Sequence, residues 1–170
     1  RARMALRNRA NNANSLLRQV PEDLLDDPGL NQARFEWRVR AGNWDDAKAL
    51  LAARSARAAL LGQPEAWANR RRALARDELR DGDAKLAYQL ASQHHLSRGS
   101  SYADLEWLSG YIALIKLDEP ARALTHFENH DQAVRSPISQ GRAGYWKGRA
   151  HQAMGNAAAA DMEFTRGASY

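Results

Sequence analysis

A chain of 170 residues is long enough to bury a sizeable core as one domain or a short repeat array. Apolar residues at 44% and charged residues at 26%, with 11 Gly and 5 Pro, exclude collagen-like, low-complexity and membrane-spanning classes. The absence of Cys excludes disulfides, thiolate-held metals and thiol catalysis, and leaves the redox compartment open.

The net charge of +5 lies at the start, where Arg1, Arg3, Arg7, Arg9 and Arg18 meet no acid within the first 20 residues. Such a run resembles an RNA-binding arm. With Met4, Leu6, Leu16 and Leu17 interleaved, it reads better as the solvated face of an amphipathic helix, in a chain holding 21 Arg to 4 Lys. Only eight residues are β-branched against 33 Ala, which leaves little material for a sheet. Turn signals follow at Pro21, Pro28-Gly29, Gly42-Asn43, Gly62 to Pro64, Asp81-Gly82-Asp83, Arg98-Gly99-Ser100, Asp118 to Pro120, Pro137 and Gly155-Asn156, with helices of roughly 10–20 residues expected between them. Leu105, Leu108, Ile112 and Ile115, widened by Trp107, Tyr111 and Leu114, predict a helix buried on more than one side.

Four of the turns are followed at +5 by a small residue and at +9 by an apolar or small one: Gly42/Ala47/Leu51, Gly82/Ala87/Ala91, Asp118/Ala123/Phe127 and Gly155/Ala160/Phe164. The sets stand 40, 36 and 37 residues apart, by subtraction of their first positions. Gly110 and Gly148 supply small positions on the helices before the last two turns. These offsets suit the second helix of a tetratricopeptide-type hairpin, in which Ala permits close approach and the larger residue fills the groove. The fold class expected is all-α, an α-solenoid or superhelix of stacked antiparallel helix hairpins, because such hairpins cannot cover their own apolar faces alone.

Between Gly62 and Tyr170 two blocks stand out, Tyr102-Ala103-Asp104-Leu105-Glu106-Trp107-Leu108-Ser109-Gly110 and Arg142-Ala143-Gly144-Tyr145-Trp146-Lys147-Gly148-Arg149-Ala150. With Gly62-Gln63-Pro64-Glu65-Ala66-Trp67 before them and Ala123-Leu124-Thr125-His126-Phe127 between, this stretch resembles the superhelical domain of the soluble lytic murein transglycosylases; residues 1–61 match more loosely. The resemblance implies a periplasmic enzyme that cuts the MurNAc–GlcNAc bond of peptidoglycan to give 1,6-anhydro products. Its glutamate acid/base would lie in a Glu-Ser pair of a separate C-terminal domain. No Glu precedes a Ser here, so residues 1–170 are expected to be one non-catalytic segment cut from a longer chain, with its signal peptide elsewhere. Its expected partners are peptidoglycan, its own catalytic domain and cell-wall proteins, with no nucleic acid, cofactor, metal or transmembrane segment. A stand-alone tetratricopeptide-like adaptor is the alternative.

Asp104 and Glu106, at i and i+2 on a helix, point to different faces, which favours capping or ion pairing over a glycosidase pair. His126 and His130 share a face but lack the His-Glu-x-x-His pattern and a third ligand. Arg70-Arg71-Arg72 spans most of a turn, so at least one approaches the packed side while the others are free to meet carboxylates. The bland alternative pairs them with Glu65, Asp77 or Glu78. Tyr145 and Trp146 offer sugar-stacking platforms if they lie on a concave face. Arg70, Arg71, Arg72, Tyr145 and Trp146 are therefore the candidate glycan or peptide contacts.

Overall fold

The computed structural model describes the backbone of all 170 residues and every side chain but that of Asp81, at the second of the four repeated turns, which lies outside the described residues. The protein is all-helical, with no strand among the described residues. Its helices are α1 (Ala2–Arg7), α2 (Ala13–Arg18), α3 (Pro28–Arg40), α4 (Trp44–Arg54), α5 (Ala58–Leu61), α6 (Glu65–Asp81), α7 (Ala84–Ser92), α8 (Ser100–Ile115), α9 (Pro120–Ala133), α10 (Pro137–Ala153) and α11 (Ala157–Ala168), with a 3-10 turn over Glu22–Leu24. The expectation of uniformly long helices fails at α1, α2 and α5. These have 6, 6 and 4 residues and stand because α1 packs on α3, α2 on α1, and α5 on α3 and α4.

Local chemistry explains the boundaries. Asp27 and Ser136 accept from the Leu30 and Ser139 N–H groups (2.6 and 3.3 Å) ahead of a proline at the first helical turn of α3 and α10. Asp83 caps α7 through the Lys85 N–H at 2.7 Å. At Gly42 (φ 78°) and Gly155 (φ 77°) the backbone turns left-handed, and the following Asn43 and Asn156 N–H groups each close onto a carbonyl five residues back. Asp118 does the same job at φ 55° without glycine, as aspartate tolerates this region.

The chain forms consecutive antiparallel pairs, α3 with α4, α6 with α7, α8 with α9 and α10 with α11, each packed on the next. Every +5 residue is buried: Ala47, Ala87, Ala123 and Ala160. The +9 residues Leu51, Ala91 and Phe127 are also buried, and Phe164 is half-buried. A Cβ on Gly110 would stand 2.6 Å from the Phe127 ring, and one on Gly148 would strike the Phe164 ring, so two successive hairpins use the same glycine-on-phenylalanine fit. The α8 stripe is buried as expected at Leu105, Leu108, Ile112 and Leu114, but Ile115 at the last turn is exposed. Met4 is exposed too, since α1 turns Ala2, Ala5 and Leu6 inward instead.

The main core gathers Phe35, Leu51, Trp67, Leu74, Leu90, Leu108 and Ile112 from the first to third pairs. Two lysines stitch neighbouring helices. Lys48 meets Asp77 (2.7 Å) and Glu78 (2.8 Å), and Lys147 meets Asp131 (3.2 Å) and Glu163 (2.8 Å).

Candidate functional site

Arg70, Arg71 and Arg72 diverge as a helical turn requires. Arg71 is completely buried, its Nη1 donating to the Leu90 carbonyl (2.8 Å) and its Nη2 to Ser55 Oγ (2.7 Å). It is therefore no surface contact, which corrects the candidate set: it is the one arginine of the three that meets the packed side. Arg72 pairs with Asp104 of α8 and donates to Asn69 Oδ1 at 2.9 Å. Arg70 pairs with Glu36 of α3 at 3.6 Å. None of the three binds Glu65, Asp77 or Glu78; the carboxylates that Arg70 and Arg72 meet, Glu36 and Asp104, come from neighbouring hairpins.

Arg70 lines a polar cleft with Glu36, Glu65, Asn69 and Ser101, floored by Ala66 and Ala73. Its walls come from α3, α6 and the start of α8, the first helices of three successive hairpins. Two carboxylates, a guanidinium, an amide and a hydroxyl in one groove form a hydrogen-bonding surface for polyhydroxyl or amide ligands. Nothing there is arranged as nucleophile and base. Sequence reasoning did not find Glu36, Asn69 and Ser101, because their convergence depends on how hairpins stack.

Tyr145 and Trp146 answer to other neighbours. Trp146 stacks on Phe127 (5.7 Å between centroids) and stands edge-on to Trp107 (6.1 Å), Tyr111 (5.3 Å) and Tyr145 (5.3 Å). It is a half-buried keystone between α8, α9 and α10. Tyr145 is 46% exposed, with its hydroxyl accepting from Arg149 (3.0 Å), and Arg142 lies 5.5 Å over the Trp107 ring. The candidate arginines and the candidate aromatics thus have different neighbours, polar for Arg70 and aromatic for Trp146.

Glu106, 6% exposed, is the best-satisfied buried charge. His94 Nδ1 accepts from the Leu96 N–H (2.9 Å), which leaves its Nε2–H to donate to Glu106 Oε1 (3.2 Å). His126 Nδ1 lies 2.6 Å from Oε2, Asn129 donates to the same oxygen (3.2 Å), and Tyr88 bonds the far nitrogen of His126 (2.8 Å). Burial pushes the Glu106 carboxyl upward, but hydrogen bonds from His126 and His94 and the His126 charge outweigh it and hold it at about 2. Asp104 faces α6 and Glu106 faces α9, as the i, i+2 argument requires. His126 and His130 do not converge on a metal position. His130 Nδ1 donates to the Ala103 carbonyl (2.8 Å), and no group of three metal-ligating side chains forms among the described residues.

A carboxylate whose folded-state pKa is depressed from 4.5 stabilises fully above that value and loses its contribution as pH falls toward 2. Urea unfolding at pH 6 and pH 3 should therefore show wild type losing about 2 kcal/mol more than Glu106→Gln over that interval. Equal losses would remove Glu106 as the source.

The chain matches no protein-family model, no curated protein and no solved structure. No helix among the described residues is long and apolar enough to cross a membrane.

Proposed function

We propose that this chain is the non-catalytic helical segment of a soluble lytic murein transglycosylase, a tetratricopeptide-like superhelix that works in the periplasm and positions glycan strands and their stem peptides for a separate catalytic domain. The observation that carries this reading is the polar cleft built by the first helices of three consecutive hairpins, with Arg70 among its lining residues. A stacked array places such first helices side by side, so that a groove continues from one unit to the next and suits a chain-like ligand. The two sequence blocks of the resemblance support it further, since they meet directly through Trp107 and Trp146. Peptide carboxylates would meet Arg70, and sugar faces would stack on the exposed Tyr145 ring.

Sedimentation with purified murein sacculi tests the surface. The chain should pellet with sacculi, and Arg70→Gln should weaken that by about tenfold or more, the worth of one charge-assisted hydrogen bond. A chain that stays in the supernatant, or an Arg70→Gln variant that pellets like wild type, would overturn the positioning role. Capture of the native gene product separates this reading from a stand-alone adaptor: peptides beyond Tyr170 with a Glu-Ser segment support the transglycosylase, and a product without them supports the adaptor.

A further inference from the structure

Away from the cleft, the α3–α4 hairpin carries a ladder of arginines that its own acids do not neutralise. Arg34 and Arg38 stand one turn apart on the same face of α3, and Arg54 joins them from the last turn of α4. Neither Arg34 nor Arg38 has a carboxylate within ion-pair distance among the described residues. Arg34 Nη1 reaches only Asn31 Oδ1, at 3.4 Å, and Arg38 Nη1 reaches only the Asp46 carbonyl, at 3.0 Å. Arg54 pairs with one carboxylate, the exposed Asp26, while its Nε is buried and meets no acceptor. Exposed Arg57 follows three residues later. Of these four guanidiniums, Arg54 alone makes an ion pair among the described residues, with Asp26.

The cluster is held in place. Asn31 is fully buried and donates to the Leu25 (2.8 Å) and Asp27 (3.0 Å) carbonyls, fixing the segment that carries Asp26 and turning its own oxygen toward Arg34. Arg34, Arg38 and Arg54 are all partly buried, so their repulsion is less screened than on an open surface. In keeping with this, burial and the charges of Arg38 and Arg54 lower the Arg34 pKa. Folding therefore gathers like charges against the Asn31 oxygen, the Asp46 carbonyl and Asp26, and an oxyanion would relieve them through bidentate hydrogen bonds. A single carboxylate leaves most of the charge uncompensated, whereas a compact phosphate dianion offers both the charge and several acceptor oxygens.

We propose that Arg34, Arg38 and Arg54 form a binding site for a compact phosphate-bearing dianion on the α3–α4 hairpin. Titration of the full chain with pyrophosphate at low ionic strength, followed by NMR of the arginine side-chain N–H groups, tests it. Saturable shifts confined to Arg34, Arg38 and Arg54 are expected, with affinity at least fivefold weaker in Arg34→Gln and unchanged when Arg7 and Arg9 are both replaced by Gln. Because Arg34 makes no ion pair, its replacement should leave the melting temperature equal or raised in the absence of ligand. A lowered melting temperature with unchanged pyrophosphate affinity would mark a structural role and overturn the proposal. So would shifts spread equally over the N-terminal arginines, shifts matched by sodium acetate at equal ionic strength, or no saturation.

Discussion

Gly144→Leu is expected to destabilise the protein by about 3 kcal/mol or more, among the largest losses available to a substitution. Gly144 sits where α10 and α11 touch backbone to backbone. A Cβ there would come within 2.6 Å of the Gly167 Cα and 2.8 Å of the Glu163 carbonyl oxygen. Neither atom can swing aside, so the helices must separate and the contacts of Ala160, Phe164 and Lys147 loosen with them. Gly148 provides the contrast. The atoms nearest its added Cβ belong to the ring of half-buried Phe164, a side chain that can rotate outward. Alanine gains up to about 1 kcal/mol over glycine in a helix interior at either site. Gly148→Ala should therefore come out near neutral, while Gly144→Ala still costs about 1–3 kcal/mol. Denaturant unfolding of both alanine variants decides the point. A Gly144→Ala variant as stable as Gly148→Ala would mean the α10–α11 seam is looser than its geometry demands.

That seam also shows where the sequence is legible. The turns, the buried alanines at +5 and the glycines facing Phe127 and Phe164 can be read directly, because each leaves a side chain whose size must match a fixed offset. Gly141, Gly144 and Gly167 leave no such mark: their role is the closeness of two backbones, and the partner helix must be placed before it becomes visible. The arginine triplet divides in the same way. Helical geometry dictates that one of Arg70, Arg71 and Arg72 turns inward, but Arg72 finds its carboxylate 32 residues away and Arg70 finds Glu36 on another hairpin, beyond any local rule. Glu106 was separable from Asp104 by spacing alone. That two histidines, from a connecting segment and from α9, would close on it depends on the stacking of hairpins, which apolar periodicity does not specify.

Arg71→Ala should cost about 3 kcal/mol or more, for reasons that begin with where helices end. The last carbonyls of an α-helix lack partners and carry partial negative charge. Arg71 of α6 brings one guanidinium to two such ends: Leu90 in the last turn of α7 and Ser55 at the C-cap of α4, whose hydroxyl also donates to the Leu51 carbonyl (2.6 Å). His95 closes the same place from the other side, its Nε2 lying 2.7 Å from the Ser55 carbonyl. Truncation to alanine would leave the Leu90 carbonyl unsatisfied and open a cavity beneath α6. Working against this, burial lowers the Arg71 pKa to about 10. For a base this sign means that the unfolded chain holds the proton more tightly, so part of the gain at neutral pH is spent on desolvation. Arg71→Met fills most of the volume without that penalty and loses only the hydrogen bonds. The expected order of stability at pH 7 is wild type, then Arg71→Met, then Arg71→Ala, with hydrogen exchange quickening first at the C-terminal ends of α4 and α7 in the alanine variant. An alanine variant that unfolds at the same urea concentration as wild type would show that the two helix ends are satisfied without the guanidinium.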